Sequence, residues 1–179
     1  MQRELYNNGG ITRWYWDYRD RQVLKLIPKG KVLDVGCGEG ITTRKMGAIG
    51  MDLDQGDVRG SVYSIPFPDE TFDAVTLLDV IEHLDHPVTA LKEIKRVLRP
   101  GGKLILMFPN DTAFFLARTI CGKWTEAFLM DYGHIRQYSP MYMKELMKVA
   151  GFSIKKSKCI PFRCWTISLH CIVVGEKNG

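Results

Sequence analysis

The sequence lacks the long apolar segments that would place it in or across a membrane. No apolar core follows its first residues, Met1-Gln2-Arg3-Glu4. The longest late stretch without a formal charge, Cys164 to Gly175, is too short to span a bilayer and contains His170. We therefore expect a protein that is neither secreted nor membrane-spanning and that is located in the cytoplasm.

Paired cysteine motifs are absent as well. The five cysteines are an odd number, and no two of them form a C-x-x-C pair. This pattern argues against a zinc knuckle and against a fully paired disulfide framework. It favours a reducing setting, which agrees with a cytoplasmic location.

Positive charge is only slightly in excess, with a formal net charge of +5. Residues 1–110 hold 15 basic and 15 acidic residues, whereas residues 111–179 hold 10 and 5. The surplus lies entirely in the last part of the chain. A solvated face is its simplest interpretation, because five charges are too few for a nucleic-acid-binding stripe.

The composition is that of one packed α/β domain, with 45% apolar and 25% charged residues among 179. Residues 12–27 predict an N-terminal helix, and further helices are expected from Pro87 to the stop at Pro100 and from Ser139 to Gly151. Short apolar runs alternate with the helices, which favours parallel strands joined by crossovers. The expected strands cover residues 32–35, 48–51, 72–78, 103–108, 152–158 and 166–174.

A glycine-rich loop follows the first expected strand, with Gly36, Gly38 and Gly40 at alternate positions. Residues without a Cβ let the backbone turn sharply and let a ligand approach the peptide groups, so we expect a cofactor there. The dinucleotide fingerprint would need a further glycine at Ile41 or Thr43. That absence disfavours a nicotinamide-dependent oxidoreductase.

The loop and four later segments resemble the motifs of class I S-adenosylmethionine-dependent methyltransferases. The first motif is an acidic strand residue, Asp34, two positions before G-x-G-x-G, and Asp52 resembles the family's ribose-binding carboxylate. A carboxylate can accept hydrogen bonds from both ribose hydroxyls. The remaining segments that resemble the family are Gly60 to Asp73, Asp79 to Leu84 and Ile94 to Gly102.

The resemblance implies a Rossmann-like class I methyltransferase fold, with a seven-stranded, mostly parallel sheet and an antiparallel last strand over 166–174. It divides the single domain, 1–179, into an N-terminal helix (1–29), a cofactor-binding core (30–110) and a substrate-facing part (111–179). Eleven residues separate Gly40 from Asp52 and seven separate Asp52 from Gly60, so we expect shortened first helices.

The resemblance also implies that S-adenosyl-L-methionine is the cofactor, with S-adenosyl-L-homocysteine as product. Ser61 departs from the family pattern, because it replaces the acidic residue that commonly meets the adenine amino group. A neutral hydrogen bond is about half as strong as a charge-assisted one, so adenine should be held more loosely. The implied cofactor-binding residues are Asp34, Gly36, Cys37, Gly38, Gly40, Asp52, Leu53, Ser61, Val62, Leu78 and Asp79.

Two histidines, His83 and His134, are the candidate catalytic residues. His83 follows the fourth expected strand and could act as a general base. A similar block holds a divalent metal in some related O-methyltransferases. The corresponding ligands in this sequence would be Asp79, Glu82 and His83, joined by His134. We favour a third role, in which Glu82 and His83 brace the loop under the substrate, and we assign no metal.

Other residues have simpler interpretations. Packing is favoured for Cys37, and His86 and His170 are assigned structural roles. His134 and Arg136 fit a substrate wall as well as a local capping role. The aromatic residues of the N-terminal helix are favoured as core over a lid above the cofactor. They are Trp14, Tyr15, Trp16 and Tyr18.

The sequence thus predicts a methyltransferase acting on a small-molecule or lipid-precursor acceptor, which fits the apolar and aromatic residues 111–132. An RNA acceptor fits the basic last part of the chain less well. A binding module that keeps the cofactor fold without turnover is the alternative from another class. The pattern assigns no oligomeric state.

Overall fold

The computed structural model describes residues 10–110, 113, 136–162, 164 and 167–178. Its helices are α1 (Ile11–Leu24), α2 (Ile41–Met46), α3 (Pro87–Val97) and α4 (Pro140–Val149), with a 3₁₀ turn at Ile81–His83. Its strands are β1 (Val32–Val35), β2 (Ile49–Asp52), β3 (Val58–Arg59), β4 (Phe72–Leu78), β5 (Leu98–Pro109), β6 (Phe152–Ile160) and β7 (His170–Lys177). None of the helices in these ranges is long and apolar enough to cross a membrane.

The seven strands form one sheet in the order β3-β2-β1-β4-β5-β7-β6. The pairs from β3 to β5 are parallel, and β7 is antiparallel to both β5 and β6. This confirms the expected mostly parallel sheet with an antiparallel last strand. The order reverses between β1 and β4, and open sheets of this kind bind ligands beyond the carboxyl ends of the strands at such a point.

The shortened first helices are confirmed. Helix α2 has only six residues, and among residues 53–57 the structure shows bends rather than a helix between β2 and β3. Asp57 closes this link, because its Oδ2 accepts a hydrogen bond of 2.8 Å from the Gly50 amide. This side-chain hydrogen bond therefore fixes the link between β2 and β3, which a longer helix would fix through packing.

The expected limits of strands β5 and β7 were wrong by several residues. Strand β5 begins at Leu98, directly after α3, and takes in the Pro100-Gly101-Gly102 segment that was expected only to stop the helix. The register shifts opposite this segment, between Phe72 and Ala74 of β4. Strand β7 begins at His170 instead of residue 166 and continues to Lys177.

Helices cover both faces of the sheet, and the two faces differ in composition. One apolar cluster joins Leu33 and Val35 of β1 to α3 and α4. On the opposite face Val32 belongs to a smaller cluster with Val23 of α1. Because side chains alternate along a strand, Asp34 also lies on this second face.

A disulfide joins Cys159 of β6 to Cys171 of β7, which are direct partners in the strand register. This bond was not predicted from the sequence. Cys37 is a free thiol, and Cys121 lies outside the described residues. The pair was missed because the register that makes the two residues opposite each other is fixed by tertiary structure.

Candidate active site

The glycine loop begins where β1 ends at the reversal of strand order. Gly36, Gly38 and Gly40 have φ angles of 73°, 53° and 69°, in the left-handed region that other residues rarely adopt. A Cβ on Gly36 would lie 2.4 Å from Val80 Cγ2. The loop therefore requires glycine both for its backbone conformation and for its packing against the segment after β4.

Asp52 lies at the end of β2 and faces this loop. Its Oδ2 accepts a hydrogen bond of 2.9 Å from the Gly38 amide, and its Oδ1 accepts one of 3.3 Å from the Asp54 amide. The next residue, Leu53, is 69% exposed. The Asp52 carboxylate thus links the end of β2 to the glycine loop.

Asp34 is buried below the loop. Its carboxylate accepts hydrogen bonds of 2.6 Å from Thr43 of α2 and 2.6 Å from Thr76 of β4. Burial raises the pKa of this carboxyl, while the two hydroxyl bonds act in the opposite direction. Asp34 therefore ties the start of α2 to the sheet and so supports the loop between them.

Cys37 lies inside the loop and packs against β2. A Cβ added to Gly50 would be 2.9 Å from its Sγ. Burial, with a further contribution from Asp34, raises the pKa of the Cys37 thiol to about 11. The protonated thiol is a poor nucleophile, which agrees with the predicted packing role.

Ser61, Val62 and Leu78 were predicted to border the cofactor. Ser61 Oγ accepts a hydrogen bond of 3.2 Å from the Tyr63 amide, so it stabilises its own turn. Val62 is buried in the larger apolar cluster. Leu78 is half-buried at the end of β4, beside the glycine loop.

Asp79 directly follows β4 and has a φ of 54°, a conformation that is uncommon for a residue with a side chain. Its carboxylate lies 3.4 Å from Arg19 Nη1 and 3.4 Å from His170 Nε2. These contacts were not predicted from the sequence, since Arg19 and His170 are 60 and 91 positions from Asp79. A histidine at the start of a strand and an arginine on a helix carry no local signal of such a contact.

The segment after Asp79 holds Glu82, which is buried, and His83, which is exposed. The backbone of Glu82 accepts a hydrogen bond from the Arg136 amide at 3.4 Å, and Arg136 Nη2 donates to the Asp85 carbonyl at 3.2 Å. No group of three metal-ligating side chains occurs among the described residues. His134, the second candidate catalytic residue, lies outside them.

The aromatic residues of α1 divide between core and surface. Tyr15 is buried and its hydroxyl is 2.5 Å from His170 Nδ1. Trp16 lies under the Arg19 guanidinium, whose carbon is 4.6 Å from the ring centre. Trp14 is 53% exposed and stacks on Tyr18. Helix α1 thus presents one aromatic residue inward and another to solvent.

A family model described as a methyltransferase domain matches residues 10–157. The chain therefore belongs to the methyltransferase domain family. The matched range includes the glycine loop, Asp52 and Asp79, the three features that the fold brings to the carboxyl edge of the sheet.

Curated relatives and a solved structure agree with this family. A probable S-adenosylmethionine-dependent methyltransferase of Mycolicibacterium smegmatis is 31% identical over 69% of this chain and 52% of its own length. A demethylmenaquinone methyltransferase of Corynebacterium glutamicum is 34% identical over 50% of this chain and 46% of its own. The chain thus spans about half the length of these relatives.

The solved structure is that of a methyltransferase from Thermotoga maritima, described as a possible histamine N-methyltransferase. It superposes with a TM-score of 0.72 at 24% identity and covers 93% of this chain and 94% of its own. At this level of sequence identity, the structural similarity shows that the two proteins share a fold.

Proposed function

We propose that this protein transfers a methyl group from S-adenosyl-L-methionine to a small-molecule or lipid-precursor acceptor. The observation that carries the proposal is the glycine loop in its left-handed conformation, bonded to the Asp52 carboxylate. A loop without Cβ atoms leaves room for the cofactor against the backbone. Asp52 supplies acceptors for ribose hydroxyls, and the exposed Leu53 supplies an apolar surface for adenine.

The cofactor supplies the electrophile, a methyl group on a positively charged sulfur. The chain's own residues have to bind the cofactor, exclude competing contacts and align the acceptor. The glycine loop, Asp52, Leu78 and Asp79 would bind it at the carboxyl edge of the sheet. His83 is exposed in the turn after β4. His83 and His134 are the candidate catalytic residues.

A small apolar acceptor is supported by the relatives that are named demethylmenaquinone methyltransferases. The name of these relatives gives demethylmenaquinone as their methyl acceptor. The aromatic residues between 111 and 132 of this chain are suited to a similar ligand.

The cofactor assignment is tested by calorimetry with S-adenosyl-L-homocysteine. The Gly38→Val variant should lose binding, because valine at a φ of 53° distorts the loop and its side chain fills the space that the ligand needs. Gly101→Val is the matched control, since Gly101 has a φ of 74° with nothing within 4 Å of the added Cβ. Equal affinity of Gly38→Val and wild type would refute the assignment.

A binding module without turnover is the second candidate, and the six-residue α2 with no helix after β2 favours it. These short connections leave less protein around the adenine side than longer helices would. Release of S-adenosyl-L-homocysteine when the protein is incubated with S-adenosyl-L-methionine and quinol acceptors distinguishes the two. Tight binding without product would support the module.

A further inference from the structure

A charged pair on α3 bonds to the chain segment that follows β3. Glu93 and Arg96 are three positions apart, so their side chains lie on the same side of the helix. Arg96 Nε and Nη2 donate to the two oxygens of the Glu93 carboxylate at 2.9 and 2.8 Å. The hydrogen bonds from Arg96 hold the pKa of the Glu93 carboxyl below its ordinary value. The pair is therefore ionised at neutral pH.

This pair also holds the main chain between Ile65 and Asp69. The Ile65 amide donates to Glu93 Oε1 at 2.9 Å, and the Ile65 carbonyl accepts from Arg96 Nη2 at 2.9 Å. Arg96 Nη1 donates to the Phe67 carbonyl at 2.9 Å and to Asp69 Oδ1 at 2.6 Å. All five N–H donors of the guanidinium thus have an acceptor.

Partial burial distinguishes this pair from an ordinary surface ion pair. The side chains of Glu93 and Arg96 are 19% and 32% exposed. The ion pair between Glu145 and Lys148 on α4 has the same spacing, but both of its side chains are more than half exposed. Exposed pairs of that kind contribute little to structure, whereas shielded charges that bond to the main chain can fix its position.

The segment that the pair holds begins at the carboxyl edge of the sheet. Strand β3 is parallel to β2, so the chain after β3 starts at the edge that carries Asp52. The Gly60 amide donates to the Asp52 carbonyl at 3.0 Å, and a Cβ on Gly60 would lie 2.8 Å from Pro66 Cδ. Between these contacts the Ser64 amide donates to the Ser61 carbonyl at 3.0 Å and closes a turn. The turn is thus fixed at one end by β2 and at the other by the charged pair.

We propose that Glu93 and Arg96 are positioning residues that hold the turn at residues 61–64 against the adenine base of the cofactor. The inference rests on the proposed function, together with the resemblance that assigns Ser61 and Val62 to the cofactor. Ser61 Oγ is bonded to the Tyr63 amide within the turn. Discrimination of the base therefore depends on where the main chain of the turn is held, and the pair sets that position through Ile65.

The test uses two ligands that differ only in the base. S-Adenosyl-L-homocysteine carries adenine, whereas S-inosyl-L-homocysteine carries hypoxanthine, which has a carbonyl oxygen in place of the amino group. A site that forms hydrogen bonds to its ligand discriminates against an analogue that leaves these groups unpaired. Calorimetry on the wild-type protein should show a preference for the adenine ligand on the order of tenfold.

Arg96→Met removes the guanidinium and keeps an unbranched side chain. It should weaken the binding of S-adenosyl-L-homocysteine on the order of tenfold and reduce the preference for adenine to about twofold or less, because the turn is no longer held. Glu93→Ala should have the same effect. Glu93→Gln should recover part of the preference, since its amide oxygen can still accept from the Ile65 amide. Thermal melts show whether each variant is folded.

Arg99→Met and Glu145→Gln are the matched controls. Arg99 donates to the Glu70 carbonyl at 3.2 Å and pairs with Asp73 at 2.9 Å, so it bonds to the chain beyond the held segment. Glu145 forms the exposed ion pair with Lys148 on α4. Both variants should keep the wild-type preference for adenine within about twofold, whatever their melting temperatures.

The outcomes separate this inference from the proposed function. If the wild type binds neither ligand, the proposed function fails and the inference fails with it. If the wild type binds both ligands equally, only the inference is overturned. It is also overturned if Arg96→Met and Glu93→Ala leave both affinities unchanged or lower them by the same factor, because the pair would then be merely structural. Should these two variants not fold, a wild-type preference in Glu93→Gln overturns it.

Discussion

The two faces of the sheet use buried residues in different ways. Beneath α3 and α4 the buried residues are apolar and continuous, including Leu91 and Ile94 of α3. On the face covered by α1 and α2, the buried residues include ionisable and hydroxyl side chains. They are Arg19, Asp20, Asp34, Thr42, Thr43, Thr76 and His170.

This difference indicates that one face supplies stability and the other supports the site. Apolar burial is favourable without regard to direction, whereas buried polar groups are tolerated only where their hydrogen bonds are satisfied. Asp34 meets that condition through Thr43 and Thr76. The polar face therefore has a conformation fixed by directional bonds, which a ligand site needs.

The largest effect is expected on the apolar face. Ile94→Ala should lower the free energy of unfolding by about 2–5 kcal/mol, because it removes a fully buried side chain and leaves a cavity. Denaturant unfolding measures this change. Affinity for S-adenosyl-L-homocysteine should stay near the wild-type value in the folded fraction.

Met141→Ala is the matched control for this variant, since Met141 is 76% exposed. It should change stability by less than about 0.5 kcal/mol. The comparison of the two faces would be contradicted if Ile94→Ala reduced the free energy of ligand binding by more than it reduced the free energy of unfolding.

The second prediction concerns pH and the polar face. His170 has a folded pKa of about 4, below its ordinary value of 6.5, because burial disfavours the charged ring. The unfolded chain therefore takes up a proton first as pH falls, and stability that is fully present above pH 6.5 is lost towards pH 4. The loss is at most about 3 kcal/mol, at 1.36 kcal/mol for each pKa unit.

Unfolding of wild type and His170→Gln between pH 7 and pH 4 measures this contribution. Asp79, Arg19 and Tyr15 face the ring and remain in both proteins, so the difference in slope belongs to His170. The variant should lose less stability over this interval. Identical slopes would show that burial does not lower the pKa of His170 in the folded protein.

Local patterns of the sequence predicted several elements of the fold, and the resemblance to class I methyltransferases implied the seven-stranded, mostly parallel sheet. The limits of β1 and β4 agree with the prediction to the residue, since each is an apolar run bounded by turn residues. The short α2 followed from the spacing between Gly40 and Asp52. These features are local, and local patterns determine them.

The contacts of the polar face could not be predicted in the same way. His170 was assigned a structural role, and Arg19 was not singled out at all, yet both contact Asp79. The antiparallel register of β7 and the packing of α1 bring them there. Tertiary packing sets both, and no spacing within the sequence encodes them.

The third prediction compares two residues of the proposed cofactor site, Asp52 and Ser61. Asp52→Ala should weaken the binding of S-adenosyl-L-homocysteine by about 1–3 kcal/mol, because it removes charged hydrogen-bond acceptors. Ser61→Ala should cost less than about 1 kcal/mol, since its bond is neutral and its Oγ is engaged by the Tyr63 amide. Calorimetry on both variants gives the ratio of the two affinity losses. A larger loss for Ser61→Ala would show that the alignment around β2 and β3 is wrong.

The smallest effect is expected at His83, in the 3₁₀ turn after β4. A general base would give a loss of turnover on the order of 10²–10⁴ in His83→Ala with nearly unchanged cofactor affinity, and a rate that falls at acid pH. A metal ligand would make activity sensitive to chelator and restorable by Mg²⁺ or Mn²⁺, with Asp79→Ala and Glu82→Ala equally damaging.

We expect neither of these outcomes, because methyl transfer to an already nucleophilic acceptor requires no base. The His83 amide donates to the Val80 carbonyl at 3.0 Å, and the neighbouring Glu82 is buried, so the turn is built into the loop that packs on the glycine segment. His83→Ala should therefore lower the melting temperature and reduce turnover by less than about tenfold, in proportion. His86→Ala, at an exposed histidine whose side chain caps no helix, is the control. A large loss of rate at wild-type stability, without a chelator effect, would instead establish His83 as the base.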